Sequence, residues 1–296
     1  KVGQGVSIEI PPPPFMRGDS AQGYPPSAPP QPKIGTLTMK KTLVALAALS
    51  ATAGAFAQSS VTLYGILDAS VGYVNKANAA GKSATYMNDS ALQSSYWGLR
   101  GSEDIGGGLK VNFNLQSDVR TDTGAGNADF FRREANVSLV SATYGELRLG
   151  RATSVAVAHL VSGGIVLPSN AMHGTMLIGA GLAGDFFVPN AITYVSPSLS
   201  GLRASLLYAP GEQAGDSSNG SAVHAAVKYQ GSNFTVGGAY VNVDDLTGVT
   251  TPAFGRKWYT IDGTVTLGKV KLGAAYYDVD HNTGATSVDN QGYILN

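Results

Sequence analysis

The residues of this sequence that could carry out covalent or metal chemistry are few and scattered. The chain has no cysteine, and its four histidines are His159, His173, His224 and His281. Their separations do not match the spacing of metal ligands, and no serine stands in a nucleophile-elbow motif. The glycine run at 106–108 precedes a strand-like segment and lacks a following lysine, so it predicts a turn instead of a phosphate-binding loop. The sequence therefore indicates neither a catalytic centre nor a cofactor or metal site.

Lysine and arginine are spread along the chain instead of clustering in a patch that could bind nucleic acid. Only 14% of the residues are charged, and 20 basic residues balance 20 acidic ones. Typical soluble domains carry about 25% charged residues, so this composition differs from theirs. Because the chain has no basic block to neutralise phosphates, we expect no nucleic-acid partner.

The first 57 residues differ in composition from the rest of the chain. Residues 1–38 hold nine of the fourteen prolines and show no hydrophobic period, which predicts a disordered or non-native extension. In residues 39–57, Met39 and two lysines precede an apolar run that ends at Ala55-Phe56-Ala57, as in a secretory signal peptide. This run is shorter than the roughly 20 apolar residues that a membrane-spanning helix needs. We therefore expect an exported mature chain at residues 58–296.

Residues 58–296 alternate between apolar and polar side chains over short segments. In one such segment the alternation runs through Leu109, Lys110, Val111, Asn112, Phe113, Asn114, Leu115 and Gln116. A period of two is typical of β-strands, and about twelve such segments follow one another, joined alternately by short glycine-rich turns and longer polar loops. No segment after residue 57 has a convincing helical period. The pattern predicts an all-β chain that crosses a bilayer as an antiparallel barrel.

A soluble β-sandwich is the alternative fold, since its strands alternate in the same way. A sandwich core would be rich in isoleucine, leucine, valine and phenylalanine. The apolar positions here are often alanine or glycine, and the polar positions often carry full charges. In lipid every backbone polar group has to be paired within the protein, and a closed barrel meets that condition. We therefore favour a transmembrane antiparallel β-barrel.

Five segments of the sequence match a known family. They are residues 60–68 (SVTLYGILD), 97–110 (WGLRGSEDIGGGLK), 133–139 (REANVSL), 144–151 (YGELRLGR) and 190–197 (NAITYVSP). These segments resemble the general porins of Gram-negative bacteria, most of all the betaproteobacterial type. The resemblance implies a sixteen-stranded barrel, of which about twelve strands are present here. It also implies a homotrimer in the outer membrane, in contact with lipid and lipopolysaccharide.

The same resemblance implies passive diffusion of small hydrophilic solutes and ions, with no cofactor. In such porins the third long loop folds into the lumen and narrows it, and here that loop would run over about residues 152–190. Arginines on the barrel wall face acidic residues of the loop, so that a transverse electric field selects ions.

The resemblance and the alternation together mark basic residues of the pore wall. Arg133 matches a wall arginine of the family, and its neighbour Arg132 would face the lumen if the strand had the opposite parity. Arg100, Arg148 and Lys110 fall on polar faces by alternation alone. The alternative for Arg132 and Arg133 is a solvated charge at a loop end, and for the other three a hydrated wall position without a special role.

Other positions depart from the family pattern. Tyr96 stands where an arginine is common, and Thr193 stands where another often occurs. The loop expected to form the constriction carries a single carboxylate, Asp185, together with two of the histidines. Fewer wall cations opposite a weakly charged loop predict a weak transverse field and hence weak charge selectivity.

Two alternatives for the function stay open at this point. An outer-membrane adhesin or structural barrel would use its long loops for binding, although the small and polar positions expected inside favour an open water path. A Ser–His hydrolase inside a barrel would need an accessible serine near a histidine such as His224. The chain also stops at Asn296 within a strand-like run, so we expect about four more strands in the complete family pattern.

Overall fold

The computed structural model describes residues 60–126, 129–163, 186–244, 255–282 and 287–295. The expected extension and signal peptide, residues 1–57, lie outside the described residues. The described strands are β1 (Ser60–Ile66), β2 (Ala69–Val74), β3 (Ala84–Asp89), β4 (Tyr96–Gly106), β5 (Leu109–Asp118), β6 (Glu134–Ser141), β7 (Gly145–Thr153), β8 (Phe187–Val195), β9 (Leu202–Ala209), β10 (Ala222–Gln230), β11 (Phe234–Val243), β12 (Gly255–Leu267), β13 (Val270–Asn282) and β14 (Ser287–Leu295). A helix, α1 (Val155–Gly163), lies between β7 and β8.

Twelve of these strands form one antiparallel sheet, in the order β1-β4-β5-β6-β7-β8-β9-β10-β11-β12-β13-β14. Strands β2 and β3 form a separate hairpin between β1 and β4. Apart from that hairpin, each strand pairs with the next one along the chain, as expected for strands that run up and down. The prediction of about twelve alternating strands is therefore confirmed.

The turn between β4 and β5 shows why a glycine run is needed there. Gly107 and Gly108 both have positive φ, of 63° and 76°. Side chains with a Cβ disfavour that conformation, so glycine allows the strands to reverse over two residues. The prediction of a turn in place of a phosphate-binding loop is confirmed.

The two faces of the twelve-stranded sheet differ in a way that a soluble sandwich would not tolerate. On one face, which we call the outer face, large apolar side chains are exposed, among them Leu63 at 69% and Ile261 at 62%. On the opposite, inner face, polar side chains such as Asp262, at 4% exposed, are buried. Water would penalise this arrangement, whereas hydrocarbon around the outer face would favour it. The alternation therefore fits a barrel with lipid outside better than a sandwich.

Helix α1 is an element that the sequence did not indicate, since no segment after residue 57 has a convincing helical period. Ser154 caps it, because the Ser154 carbonyl accepts the Ala158 N–H at 2.9 Å and the Ser154 hydroxyl accepts the Val157 N–H at 3.3 Å. The sequence VAVAHLVSG is apolar over most of its length. Periodicity cannot separate such a short apolar run from a strand, so this segment carries no helical signal.

The apolar part of the inner face lies under α1. Ala156 and Leu160 of the helix join a buried cluster whose strand members are Ala239, Val241, Trp258 and Val279. The inner face thus carries an apolar cluster under α1 on β11–β13, next to buried polar side chains such as Asp262, and it is polar on β4–β7. No helix in the described part of the chain is long and apolar enough to cross a membrane.

Candidate functional site

The inner face of β1 and β4–β7 forms a polar recess of about 410 Å³. It is lined by two arginines, two glutamates, three asparagines and four hydroxyl side chains, which are Arg100, Arg148, Glu134, Glu146, Asn112, Asn114, Asn136, Ser60, Thr62, Ser102 and Ser138. Arg100 and Arg148, which the alternation placed on polar faces, both line this recess. Two guanidinium groups and two carboxylates leave the ionic groups of the recess balanced in charge.

Glu134 is the centre of a hydrogen-bond network in this recess. One carboxylate oxygen accepts from Asn114 Nδ2 at 2.8 Å and from Asn136 Nδ2 at 3.0 Å. The other oxygen accepts from the hydroxyl of Thr153. These donors come from three neighbouring strands, so β5, β6 and β7 all hold the carboxylate in place. Such contacts stabilise its negative charge within the wall.

Each arginine of the recess has a different partner. Arg148 donates from Nε at 3.1 Å and from Nη2 at 2.8 Å to Oε1 of Glu146, two residues earlier on the same face. Arg100 lies over the ring of Tyr64, with 4.9 Å between its guanidinium carbon and the ring centroid. The Tyr64 hydroxyl in turn accepts from Gln116 Nε2 at 2.7 Å. Arg148 is therefore neutralised by a carboxylate, whereas Arg100 is held by an aromatic face.

Arg133 lies between two aromatic rings. Its guanidinium carbon is 4.7 Å from the ring centroid of Tyr96 and 4.8 Å from that of Phe187. It also donates to Gln116 Oε1 and to Asp118 Oδ1, each at 3.3 Å. With its side chain only 16% exposed, Arg133 does not fit the interpretation as a solvated loop-end charge.

Arg132 shares the carboxylate of Asp118 with Arg133. Its Nε lies 2.6 Å from Asp118 Oδ2, and its side chain is 46% exposed. The adjacent arginines thus divide between a buried and an exposed position, but both are paired to one carboxylate at the end of β5. This pairing reduces the net charge that the two arginines present.

The remaining predicted site residues are placed as follows. Tyr96 makes an edge contact with Tyr64, with the ring centroids 6.0 Å apart. Lys110 is exposed at the turn end of β5, opposite Asp104 in the strand register. Thr193 is buried and lies opposite Arg148. Asp185 and His173 lie outside the described residues.

The sequence did not reveal a second set of polar contacts, which joins α1 to the wall. His159 Nε2 lies 2.6 Å from Asp262 Oδ2, and Ser154 Oγ lies 2.7 Å from His224 Nδ1. In addition, Lys228 Nζ donates to Ser162 Oγ at 2.8 Å. Alternation along β10 and β12 puts His224, Lys228 and Asp262 on the inner face, but it contains no signal for partners on a distant loop. Among the described residues, no group of three or more histidine and carboxylate side chains could hold a metal ion.

Comparison with known proteins places these features in a family. A family model for the Gram-negative porins matches residues 45–296. Outer membrane porin protein 32 of Delftia acidovorans is 41% identical over 176 residues, which cover 58% of this chain and 50% of that protein. An outer membrane porin protein of Bordetella pertussis is 33% identical over 268 residues, covering 80% of this chain and 69% of that protein. The chain spans about half the length of the first of these relatives.

Solved structures resemble the described fold. The anion-selective porin from Comamonas acidovorans aligns with a TM-score of 0.65 at 29% identity, covering 80% of this chain and 73% of that one. A loop-deletion mutant of OmpT, an outer membrane protein of Vibrio cholerae, aligns with a TM-score of 0.59 at 12% identity, covering 80% and 75% of the two chains. The second likeness concerns the fold alone. Together they confirm the antiparallel β-barrel fold that the strand pattern predicted.

Proposed function

The chain belongs to the family of Gram-negative porins, and on this basis we propose that it is a passive diffusion channel in the outer membrane, with small hydrophilic solutes and ions as its substrates. The observation that carries the proposal is the contrast between the two faces of one sheet. Apolar side chains such as Leu63 are exposed on the outer face, while charged and amide side chains line the recess on the inner face. Lipid would solvate the first surface and water the second.

The arrangement of charges supports weak ion selectivity for this channel. Arg148 is paired with Glu146, and Arg132 and Arg133 share Asp118. The relative from Comamonas acidovorans is named an anion-selective porin. In this chain, tyrosine and threonine stand at positions 96 and 193. Local pairing weakens the field of each charge at a distance. We therefore expect a smaller preference for anions than in a pore with arginine at both of these positions.

Three further parts of the proposal rest on the family resemblance. We expect a homotrimer whose outer face contacts lipid and lipopolysaccharide. The exposed apolar side chains of that face are consistent with contact to lipid chains and to a neighbouring subunit. The long connection at about residues 152–190 is proposed to form the constriction. Residues 39–57 are proposed to act as a signal peptide after a non-native or disordered segment at 1–38.

We propose no catalytic function, in line with relatives that are channels and not enzymes. Ser154 and His224 are close enough to suggest a nucleophile and its base, but both are fully buried. A substrate could not reach the serine while α1 is in place. Their contact has a structural explanation instead, since Ser154 caps the helix.

Conductance across a planar bilayer tests the proposal. Protein purified from outer membranes in detergent should produce stepwise current increases on insertion, with a reversal potential near zero in a salt gradient. A silent bilayer, with protein shown to have inserted, would support the alternative of an adhesin or structural barrel. A large reversal potential would contradict weak selectivity but leave the channel itself intact.

A further inference from the structure

We propose that His159 and Asp262 are positioning residues of the channel, and that their contact latches α1 onto the wall and thereby sets the width of the water path. This inference rests on the proposed channel function. We call the His159–Asp262 contact, together with the contacts Ser154–His224 and Lys228–Ser162, the helix latch. It joins a segment of the β7–β8 connection to strands β10 and β12.

The middle of the latch is a buried ionisable pair. The side chains of His159 and Asp262 are only 3% and 2% exposed, and 2.6 Å separates their polar atoms. When a buried carboxylate loses its partner, no interaction compensates for its desolvation, and the protein is destabilised. Moving α1 away from the wall would separate this pair, so the pair opposes movement of the helix.

The wall is shaped to receive the imidazole. In the strand register Arg203, Lys228, Gly237 and Asp262 stand side by side on β9, β10, β11 and β12. Gly237 has no side chain, and a Cβ at that position would lie 2.5 Å from Cε1 of His159. The ring of His159 therefore occupies the gap that the glycine leaves in this row. Lys228 and Arg203 are the charged neighbours on one side of the gap, and Asp262 lies on the other.

Both ends of the helix are attached to the same region of the wall. At the start, the capping residue Ser154 also contacts His224, and both residues are fully buried. Near the end, Ser162 accepts from Lys228 and donates to the carbonyl of His159 at 3.1 Å. Between them, Leu160 is buried in the cluster around Trp258. A helix held at its start, middle and end can move only if several contacts break together.

Thiol labelling gives a direct readout of the latch, because the chain has no cysteine of its own. Ala156 is fully buried on the side of α1 that faces the wall, whereas Ala158 is exposed on the same helix. In Ala156→Cys the thiol should react slowly with a water-soluble maleimide. Adding Asp262→Ala or His159→Ala should raise that rate about tenfold or more, toward the rate of Ala158→Cys. The two substitutions together should have little more effect than either alone, because they remove the same contact.

Thr264→Ala is the matched control. Thr264 lies two residues after Asp262 on β12, is buried, and has a hydrogen bond to Thr235 at 2.7 Å, so its loss also removes a buried contact from this strand. It should leave the labelling rate at position 156 unchanged, with folding verified by resistance to heat in detergent. Equal rates with and without Asp262→Ala would overturn the latch.

Single-channel recording separates the latch from the channel. With the latch removed, we expect brief closures or a changed conductance that Thr264→Ala does not cause. Faster labelling with an unchanged current would overturn the claim that α1 sets the width of the water path. If no variant and no wild-type protein conducts, the proposed function fails, while the labelling result still decides whether the latch exists.

Discussion

The guanidinium carbon of Arg133 lies 4.7 Å from the ring centroid of Tyr96. Tyr96 stands at a position where such porins commonly carry a second arginine, so in this chain an aromatic ring under Arg133 takes the place of that cation. Phe187 covers the other side of the guanidinium at 4.8 Å. An arginine between two rings and paired with Asp118 is fixed in direction and partly neutralised. This arrangement connects the weak field expected from the sequence to a particular contact.

Tyr96→Arg should increase the preference for anions. The new guanidinium would stand beside Arg133 without a carboxylate of its own and would remove the aromatic face on which Arg133 rests. We expect the reversal potential in a potassium chloride gradient to move toward the chloride equilibrium potential. Tyr96→Phe keeps the ring and should leave the reversal potential near that of the wild type. An equal shift in both variants would show that loss of the tyrosine hydroxyl, and not the added charge, is responsible.

Glu134→Gln should change both selectivity and stability. Glutamine removes one negative charge from the recess and replaces an oxygen that accepts hydrogen bonds by an NH₂ group that donates them. Since three donors point at this carboxylate, at least one would lose its acceptor, at a cost of about 1–3 kcal/mol. Thermal unfolding in detergent and the reversal potential measure the two effects.

Glu146→Gln is the companion substitution to Glu134→Gln. It removes the same charge from the same recess but affects the half-buried pair with Arg148. It should shift the reversal potential toward chloride with a loss of stability below about 1 kcal/mol. If the two variants are equally destabilised, the hydrogen-bond network around Glu134 contributes no more to stability than the Glu146–Arg148 pair does.

The strand pattern could be predicted because the polarity of each side chain in a strand depends on the face of the sheet on which it lies. Ile261 is exposed on the outer face and its neighbour Asp262 is buried on the inner face, as the alternation requires. The same local rule placed Arg100 and Arg148 on the inner wall. Their part in ion selection stays a prediction, as do those of Arg132, Arg133, Lys110 and Tyr96.

Contacts between distant segments could not be predicted in this way. His159 and Asp262 are 103 residues apart, and their meeting depends on the path of the β7–β8 connection, which no local period encodes. Phe187 was likewise not foreseen as a partner of Arg133, since it begins a strand that follows that same connection. Helix α1 escaped prediction because the residues that face the wall and those that do not are similarly apolar.

Acid should loosen the loop between β9 and β10 only at unusually low pH. Hydrogen bonds from the Ser218 hydroxyl at 2.6 Å, and then from the backbone N–H groups of Asn219 and Ser218, lower the pKa of Asp216 below its ordinary value. The contacts therefore contribute fully above the ordinary carboxyl range and are lost as the pH falls through the lowered pKa. Hydrogen exchange at Asn219 should show protection that persists at pH 4 and disappears in Asp216→Ala at all pH values. Loss of protection in the wild type near neutral pH would contradict the assignment.

Gly237→Ala should disturb α1 without removing any polar group. The added Cβ would lie 2.5 Å from Cε1 of His159 and 2.5 Å from the carbonyl oxygen of Val227, so the imidazole and the strand would both have to shift. We expect a destabilisation of about 1–3 kcal/mol together with faster labelling of a thiol at position 156. Gly263→Ala is the matched control on the neighbouring strand. Its Cβ would lie 3.1 Å from the carbonyl oxygen of Thr235 and 4.0 Å from the Cα of Val236, so it would need a smaller shift. Thermal unfolding and labelling should distinguish the two variants, and equal labelling rates would show that the gap at Gly237 does not hold the helix.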